Sequence, residues 1–189
     1  MFAKEMVKQS LPLLILCGIG GIVAGSALSI MIDLIQKIPG LIVVIPAIIA
    51  MRGNISTAFG SRLGSAYHLG IIDADNIWNE ELKQNIMGSI ILSFIISLII
   101  GVLAFITTVI IFDKYVNLGL LAIKLFSIVL IAGLISALIL TLLTIIIVYL
   151  VFKRGYDPDN ITGPALATFG DIITILCIFS SALVVEVVL

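Results

Sequence analysis

Residues 86–112 read IMGSIILSFIISLIIGVLAFITTVIIF and carry no charge. A helix needs about 20 consecutive, mostly apolar residues to cross the hydrocarbon core of a bilayer, and this run is longer. On its N-terminal side, Asp73 to Lys83 is the most polar stretch of the chain and reads as a loop. On its C-terminal side, a short turn at Asp113 to Asn117 leads into a second long apolar run, residues 118–152, interrupted only by Lys124. Lys153 to Asn160 forms the next turn, with Gly155 and Pro158 as breakers and Asp159 or Asn160 as a helix cap. A further span, residues 160–188, closes the sequence and contains Asp171.

Two spans precede the loop. The first covers residues 10–35, with Ser10 to Ile32 free of charge. Lys4 and Lys8 before it resemble the basic start of a signal peptide. The apolar run exceeds the usual h-region of about 7–15 residues, so it reads as an uncleaved helix. The second span, residues 38–70, is unusual. Ile38 to Met51 is uncharged and holds Pro46, then comes Arg52-Gly53-Asn54, then a Gly-, Ser- and Ala-rich segment with Arg62. It reads as one long, interrupted helix.

Composition agrees with five spans. Of 189 residues, 61% are hydrophobic and 11% charged, with mean hydropathy +1.34 and net charge -1. Soluble domains are about 25% charged. Too few polar groups remain to cover a water-facing surface, which excludes a cytosolic enzyme and a disordered chain. A nucleic-acid partner would need a basic face. No ten-residue alternation of a membrane barrel is present. The expected fold is an all-α integral membrane protein with five transmembrane helices in a single transmembrane domain, 1–189, without a soluble regulatory domain. Cys17 and Cys177 with one His cannot complete a four-ligand zinc site, and no cofactor is expected.

Lys and Arg in the connections set the expected orientation. With the N-terminus inside, Lys4, Lys8, Lys83, Lys153 and Arg154 lie on the inner side. Lys37, Lys114 and Lys124 lie on the outer side, and the C-terminus is outside. Trp78 and Tyr149 fit as interface anchors. Small residues recur at helical spacing: Gly21 and Gly25 in the first span, Ser89, Ser93, Ser97 and Gly101 in the third, Gly133 and Ala137 in the fourth. Such stripes let helices approach closely, in a bundle or a dimer seam.

Asp171 is the candidate for chemistry. An ionisable group in mid-membrane is costly and marks a functional site by default. Thr168, Gly170 and Thr174 around it suit a water-lined path. A structural alternative pairs Asp171 with Arg52 or Arg62. Pro46, Gly53 and Asn54 form a second signal, because interrupted helices line transporter sites. The two segments share a pattern: Pro46-Ala47 leads to Gly53-Asn54, and Pro164-Ala165 leads to Gly170-Asp171. Arg52 and Arg62 read as residues snorkelling to a membrane face, with Arg62 beside a cytosolic vestibule. Asp73, Asp75, Glu80 and Glu81 make an acidic loop; Asp33 and Glu186 read as interfacial.

Pro46-Ala47-Ile48-Ile49-Ala50-Met51-Arg52-Gly53-Asn54 with Ser61-Arg62-Leu63 resembles the signature of the MgtE family and its eukaryotic solute-carrier relatives. Asn160-Ile161-Thr162-Gly163-Pro164 with Gly170-Asp171 is similar to that family's last-helix signature. The resemblance implies a divalent-cation transporter, chiefly for Mg²⁺, working as a homodimer with a path between the second and fifth helices. It matches the family's pore aspartate to Asp171 and its motif asparagine to Asn54. Bacterial members carry long cytosolic regulatory domains, and this chain is similar to one half of the eukaryotic relatives.

Mg²⁺ dehydrates reluctantly and meets protein through one or two carboxylates while keeping several waters. Asp171 from each of two copies would supply two. Thr168, Asn54 and the carbonyl of Ala167 would hold the ion's waters. No nucleophile-base pair or phosphate loop competes, so no enzyme activity is expected. A Na⁺- or H⁺-coupled cation exchanger is the alternative within transport. A non-transporting structural or accessory membrane subunit is the alternative outside it. The expected location is the cell membrane, multi-pass.

Overall fold

The computed structural model describes residues 2–72, 77–112, 117–154 and 158–189. Asp73 and Asp75 of the acidic loop, Lys114, and the breaker Gly155 fall outside the described residues, as do the side chains of Lys4, Lys8, Asp159 and Asn160. The helices are α1 (Phe2–Ile30), α2 (Ile32–Lys37), α3 (Leu41–His68), α4 (Glu80–Ile111), α5 (Leu118–Lys153) and α6 (Pro158–Val188). All but α2 are long and apolar enough to cross a membrane, as expected for a multi-pass membrane protein.

The second span differs from its expected form. α3 is one continuous helix with Pro46 inside it, not an interrupted one. Pro46 sits in the second turn, where it costs the helix one bond to the Ile42 carbonyl. Gly53 and Asn54 continue the helix. The chain breaks earlier, at Ile38 to Gly40, because Gly40 adopts φ +88°. A side chain there would be strained and would collide with the Thr108 hydroxyl, so glycine sets this turn. The first span is likewise divided, ending at Ile30 and followed by the short α2.

Caps explain two other starts. The Asn79 side chain accepts from the Leu82 amide at 2.9 Å and opens α4. Asn117 accepts from Leu120 at 3.1 Å and opens α5. Both satisfy an amide that the helix leaves unpaired. Pro158 opens α6 rather than breaking the chain before it, since a first-turn proline has no bond to lose. Asp159 and Asn160 therefore lie inside the first turn instead of capping it.

α5 packs against α3, α4 and α6, and α6 also packs against α1 and α3. Ile48, Leu125, Ile128, Ala132 and Ile178 form the larger buried cluster. Phe59, Leu63, Tyr67, Leu82 and Val148 form a second. The serine stripe of α4 packs inward as expected. Ser89, Ser93 and Ser97 are buried, and Ser97 lies against Gly133 of α5. The hydroxyls of Ser89 and Ser93 donate to carbonyls one turn back, which satisfies them without water. The glycines of α1 do not follow: Gly18, Gly21 and Gly25 face open space.

Contacts fix the relative heights of the helices. Met51 approaches Gly133, and Gly60 approaches Thr144, so α3 and α5 run parallel. Lys124 pairs with Glu186 at 2.8 Å and Leu140 lies against Gly170, so α6 runs antiparallel to both. Gly60 meets Thr162 and Leu166 of α6 directly. About two turns from that contact, roughly 11 Å along each helix, α3 reaches Arg52 to Asn54 and α6 reaches Asp171.

Candidate functional site

The outward face of α3 is chemically unlike that of the other long helices. Pro46, Ala50, Asn54, Ala58, Ser61, Arg62 and Ser65 are exposed, and Gly53 and Thr57 are half-buried. Between Ile42 and Leu69 no large apolar side chain of α3 is exposed. On α4, by contrast, Ile91, Phe94, Ile95, Leu98, Val102 and Ile106 are exposed. The α4 surface suits lipid. The α3 surface would leave polar groups in hydrocarbon, which is costly unless protein or water covers them.

Asp171 is half-buried on α6 at the height of this face. It has no hydrogen bond or ion pair among the described residues. Thr168, one turn away, is also half-buried. Its hydroxyl donates to the Pro164 carbonyl at 3.0 Å. The hydroxyl proton is thus committed, and the oxygen lone pairs remain to accept from water. Asn54 is exposed, with its side chain unbonded among the described residues. Ala167 is exposed, but in a continuous helix its carbonyl serves the helical ladder, leaving one lone pair for a water. The carbonyls released by Pro46 and Pro164 belong to Ile42 and Asn160, at opposite ends of the bundle rather than beside Asp171.

Thr57 escaped the sequence reading. It lies one turn beyond Asn54, and its hydroxyl donates to the Gly53 carbonyl at 2.8 Å, which leaves it an acceptor like Thr168. Its spacing of three from Asn54 was visible, but it points to one face only if the helix is unbroken. Among the described residues, no group of three His, Cys, Asp or Glu is placed to hold a metal.

The two arginines behave differently from each other. Arg62 is exposed, and its Nε donates to the Ala58 carbonyl at 3.2 Å. Its Nη1 reaches Asn85 Oδ1 at 3.5 Å, and Asn85 in turn donates to Glu81 Oε1 at 3.1 Å. Arg52 does not reach a membrane face as its snorkelling reading required. It is only 1% exposed, because its position on α3 points into the bundle with Ile48, Ser56 and Phe59. Its Nε and Nη2 are buried without a hydrogen-bond partner among the described residues. Neither arginine pairs with Asp171. Glu186, expected near an interface, holds Lys124 between the end of α6 and the start of α5.

Comparison with known proteins identifies a family. The family model MgtE, described as a divalent cation transporter, matches residues 45–181. The stretch includes α6 through Asp171 and nearly all of α3. Solute carrier family 41 member 2 of Xenopus laevis is 30% identical over 176 residues, covering 90% of this chain and 30% of that protein. The Homo sapiens protein of the same name is 28% identical over 177 residues, with the same coverage. Solute carrier family 41 member 3 of Rattus norvegicus is 27% identical over 185 residues, 92% of this chain and 38% of that protein. The chain therefore spans about a third of the length of these relatives. With the match to the family model running across most of the bundle, the chain belongs to the MgtE family of divalent cation transporters.

Proposed function

We propose that this chain carries a divalent cation, Mg²⁺ first, across the cell membrane, along a path between α3 and α6 of two copies. The observation that carries the reading is the polar outward face of α3, set at the same height as Asp171 on α6. A second copy covering that face would take it out of lipid and bring a second Asp171 to the path. Two carboxylates with bound waters suit an ion that keeps part of its hydration shell. Asn54, Thr57 and Thr168 are acceptors, as waters polarised by a cation require, and Ala167 adds a carbonyl lone pair. The cation offsets the cost of the carboxylates in the membrane interior. The N-terminus lies inside and the C-terminus outside, following the Lys and Arg bias.

Flux of Mg²⁺ into liposomes containing the purified protein tests this reading. Wild type moves the ion and Asp171→Ala does not. A wild type that moves no divalent cation defeats the transport reading. Flux that depends on an imposed Na⁺ or proton gradient makes the protein an exchanger. The accessory-subunit reading asks Asp171 to pair with Arg52 or Arg62, and neither pair forms among the described residues.

A further inference from the structure

Among the described residues, Arg52 is the one charged side chain of the largest fully buried ones. Among the described residues its Nε and Nη2 have no partner, and the hydroxyl of Thr174, one turn from Asp171 on α6, is likewise buried and unpartnered. A guanidinium with unmet donors in a membrane interior is among the least favourable arrangements a chain can keep. Replacing such a group by an apolar one of similar volume is usually neutral or stabilising, so packing alone does not account for it. Arginine rather than lysine matters too, because a buried lysine sheds its proton while a guanidinium stays charged.

The charge has a counterpart at its own height. Register puts Arg52 within about a turn of the level of Asp171, the acidic residue in the middle of α6. The other acidic residue of α6 whose side chain is described, Glu186, is held by Lys124. We infer that Arg52 is a fixed counter-cation of the Asp171 ion site, one that weakens divalent binding there and speeds release. The inference rests on the proposed transport function. In a two-copy path, two Asp171 and two Arg52 leave the empty site neutral, so the carboxylates stay ionised without an ion. When a divalent ion arrives, the fixed positive charges oppose it. Conduction needs a site that binds strongly enough to admit an ion and weakly enough to let it go. In the low-dielectric interior this repulsion is long-ranged and little screened by salt.

The test measures flux against Mg²⁺ concentration in liposomes for wild type, Arg52→Met and Arg52→Gln, with thermal unfolding in parallel. Arg52→Met keeps the apolar length and removes the unpaired charge, so it is the variant chosen to stay folded. Both variants should lower the half-saturating Mg²⁺ concentration by about tenfold and lower the maximal rate. Arg52→Lys, whose amine sheds its proton when buried, should lower the half-saturating value as Met and Gln do. Wild-type flux with an unchanged half-saturating concentration in both Met and Gln variants overturns this inference alone. It then leaves Arg52 a merely structural residue, as would a fall in melting temperature without that change. A wild type that carries no divalent ion overturns the proposed function and takes this inference with it.

Discussion

Gly60 of α3 and Thr162 of α6 touch so closely that a Cβ on Gly60 would lie 3.0 Å from the Thr162 methyl. Leu166 would stand 3.1 Å away on the same side. This contact sets the height at which α3 and α6 cross, and so brings Asn54 and Asp171 to about the same level along the bundle. Gly60→Leu should therefore lower stability by about 1–3 kcal/mol through overpacking, read as a lower melting temperature in detergent. Gly60→Ala should cost less, and Thr162→Ser should recover part of the loss by removing the methyl. An Ala variant that Thr162→Ser fails to relieve would remove this contact as the source of the register.

Lys124 and Glu186 tie the start of α5 to the end of α6 at 2.8 Å, with both side chains mostly covered. The pair is a clamp at one end of the bundle. A double-mutant cycle through Lys124→Met and Glu186→Gln should give a coupling of about 1 kcal/mol, in line with polar pairs inside membrane bundles. Each single variant leaves an unpaired charge and should be less stable than the double. Additive single effects would show that the pair contributes nothing.

Much of this fold was legible in the sequence because the bilayer imposes a length rule on apolar runs. Long, mostly apolar stretches mark all five spans, and among the described residues five helices of that kind are present. The interruption expected in α3 does not occur, because Pro46 and Gly53 signal helix breaks locally while neighbouring helices hold the backbone through them. The actual break at Gly40 depends on a contact with Thr108, which is distant in sequence. Sequence pattern points Arg52 to a membrane face because arginine rarely survives burial, and nothing in a single chain's pattern announces an exception. Asp171, Asn54 and Thr168 were legible as types. That they share a height with Thr57 follows only from the packing of Gly60 on α6.

Asp171→Asn keeps the shape of the side chain and removes its charge. On the proposed function, Mg²⁺ flux should fall by roughly tenfold to a hundredfold, since a charge-assisted contact is worth about 1.5–3 kcal/mol. Mg²⁺ should also stabilise the wild type against heat by mass action, and chelation should reverse the gain. The Asn variant should lose that Mg²⁺-dependent shift while unfolding near the wild-type temperature in chelator. A preserved shift would place the ion elsewhere.

Asn54 and Thr57 are expected to hold water rather than metal, so their loss should be gentler. Asn54→Ala and Thr57→Val should each raise the half-saturating Mg²⁺ concentration by about threefold to tenfold, the effect of one lost neutral hydrogen bond. The maximal rate should change less than in Asp171→Asn. A Thr57→Val variant identical to wild type would confine the site to α6 and Asn54.

The outward face of α3 makes the sharpest demand, because lipid and water treat a thiol differently. In a background where Cys17 and Cys177 are replaced, single cysteines can be placed along two helices. Ala50→Cys, Thr57→Cys and Ser61→Cys lie on or beside the polar face of α3, and Leu98→Cys and Leu103→Cys lie on the apolar face of α4. A membrane-impermeant thiol reagent acts on thiolates, which form in water and not in hydrocarbon. The α3 positions should label at least about tenfold faster than the α4 positions, since burial in hydrocarbon strongly disfavours the charged thiolate. Added Mg²⁺ should slow labelling at Thr57→Cys, next to the proposed site, more than at Ser61→Cys. Equal and slow labelling on both helices would mean that α3 faces neither water nor an aqueous path. The polar face would then be an ordinary protein contact, and the path between α3 and α6 would have to be abandoned.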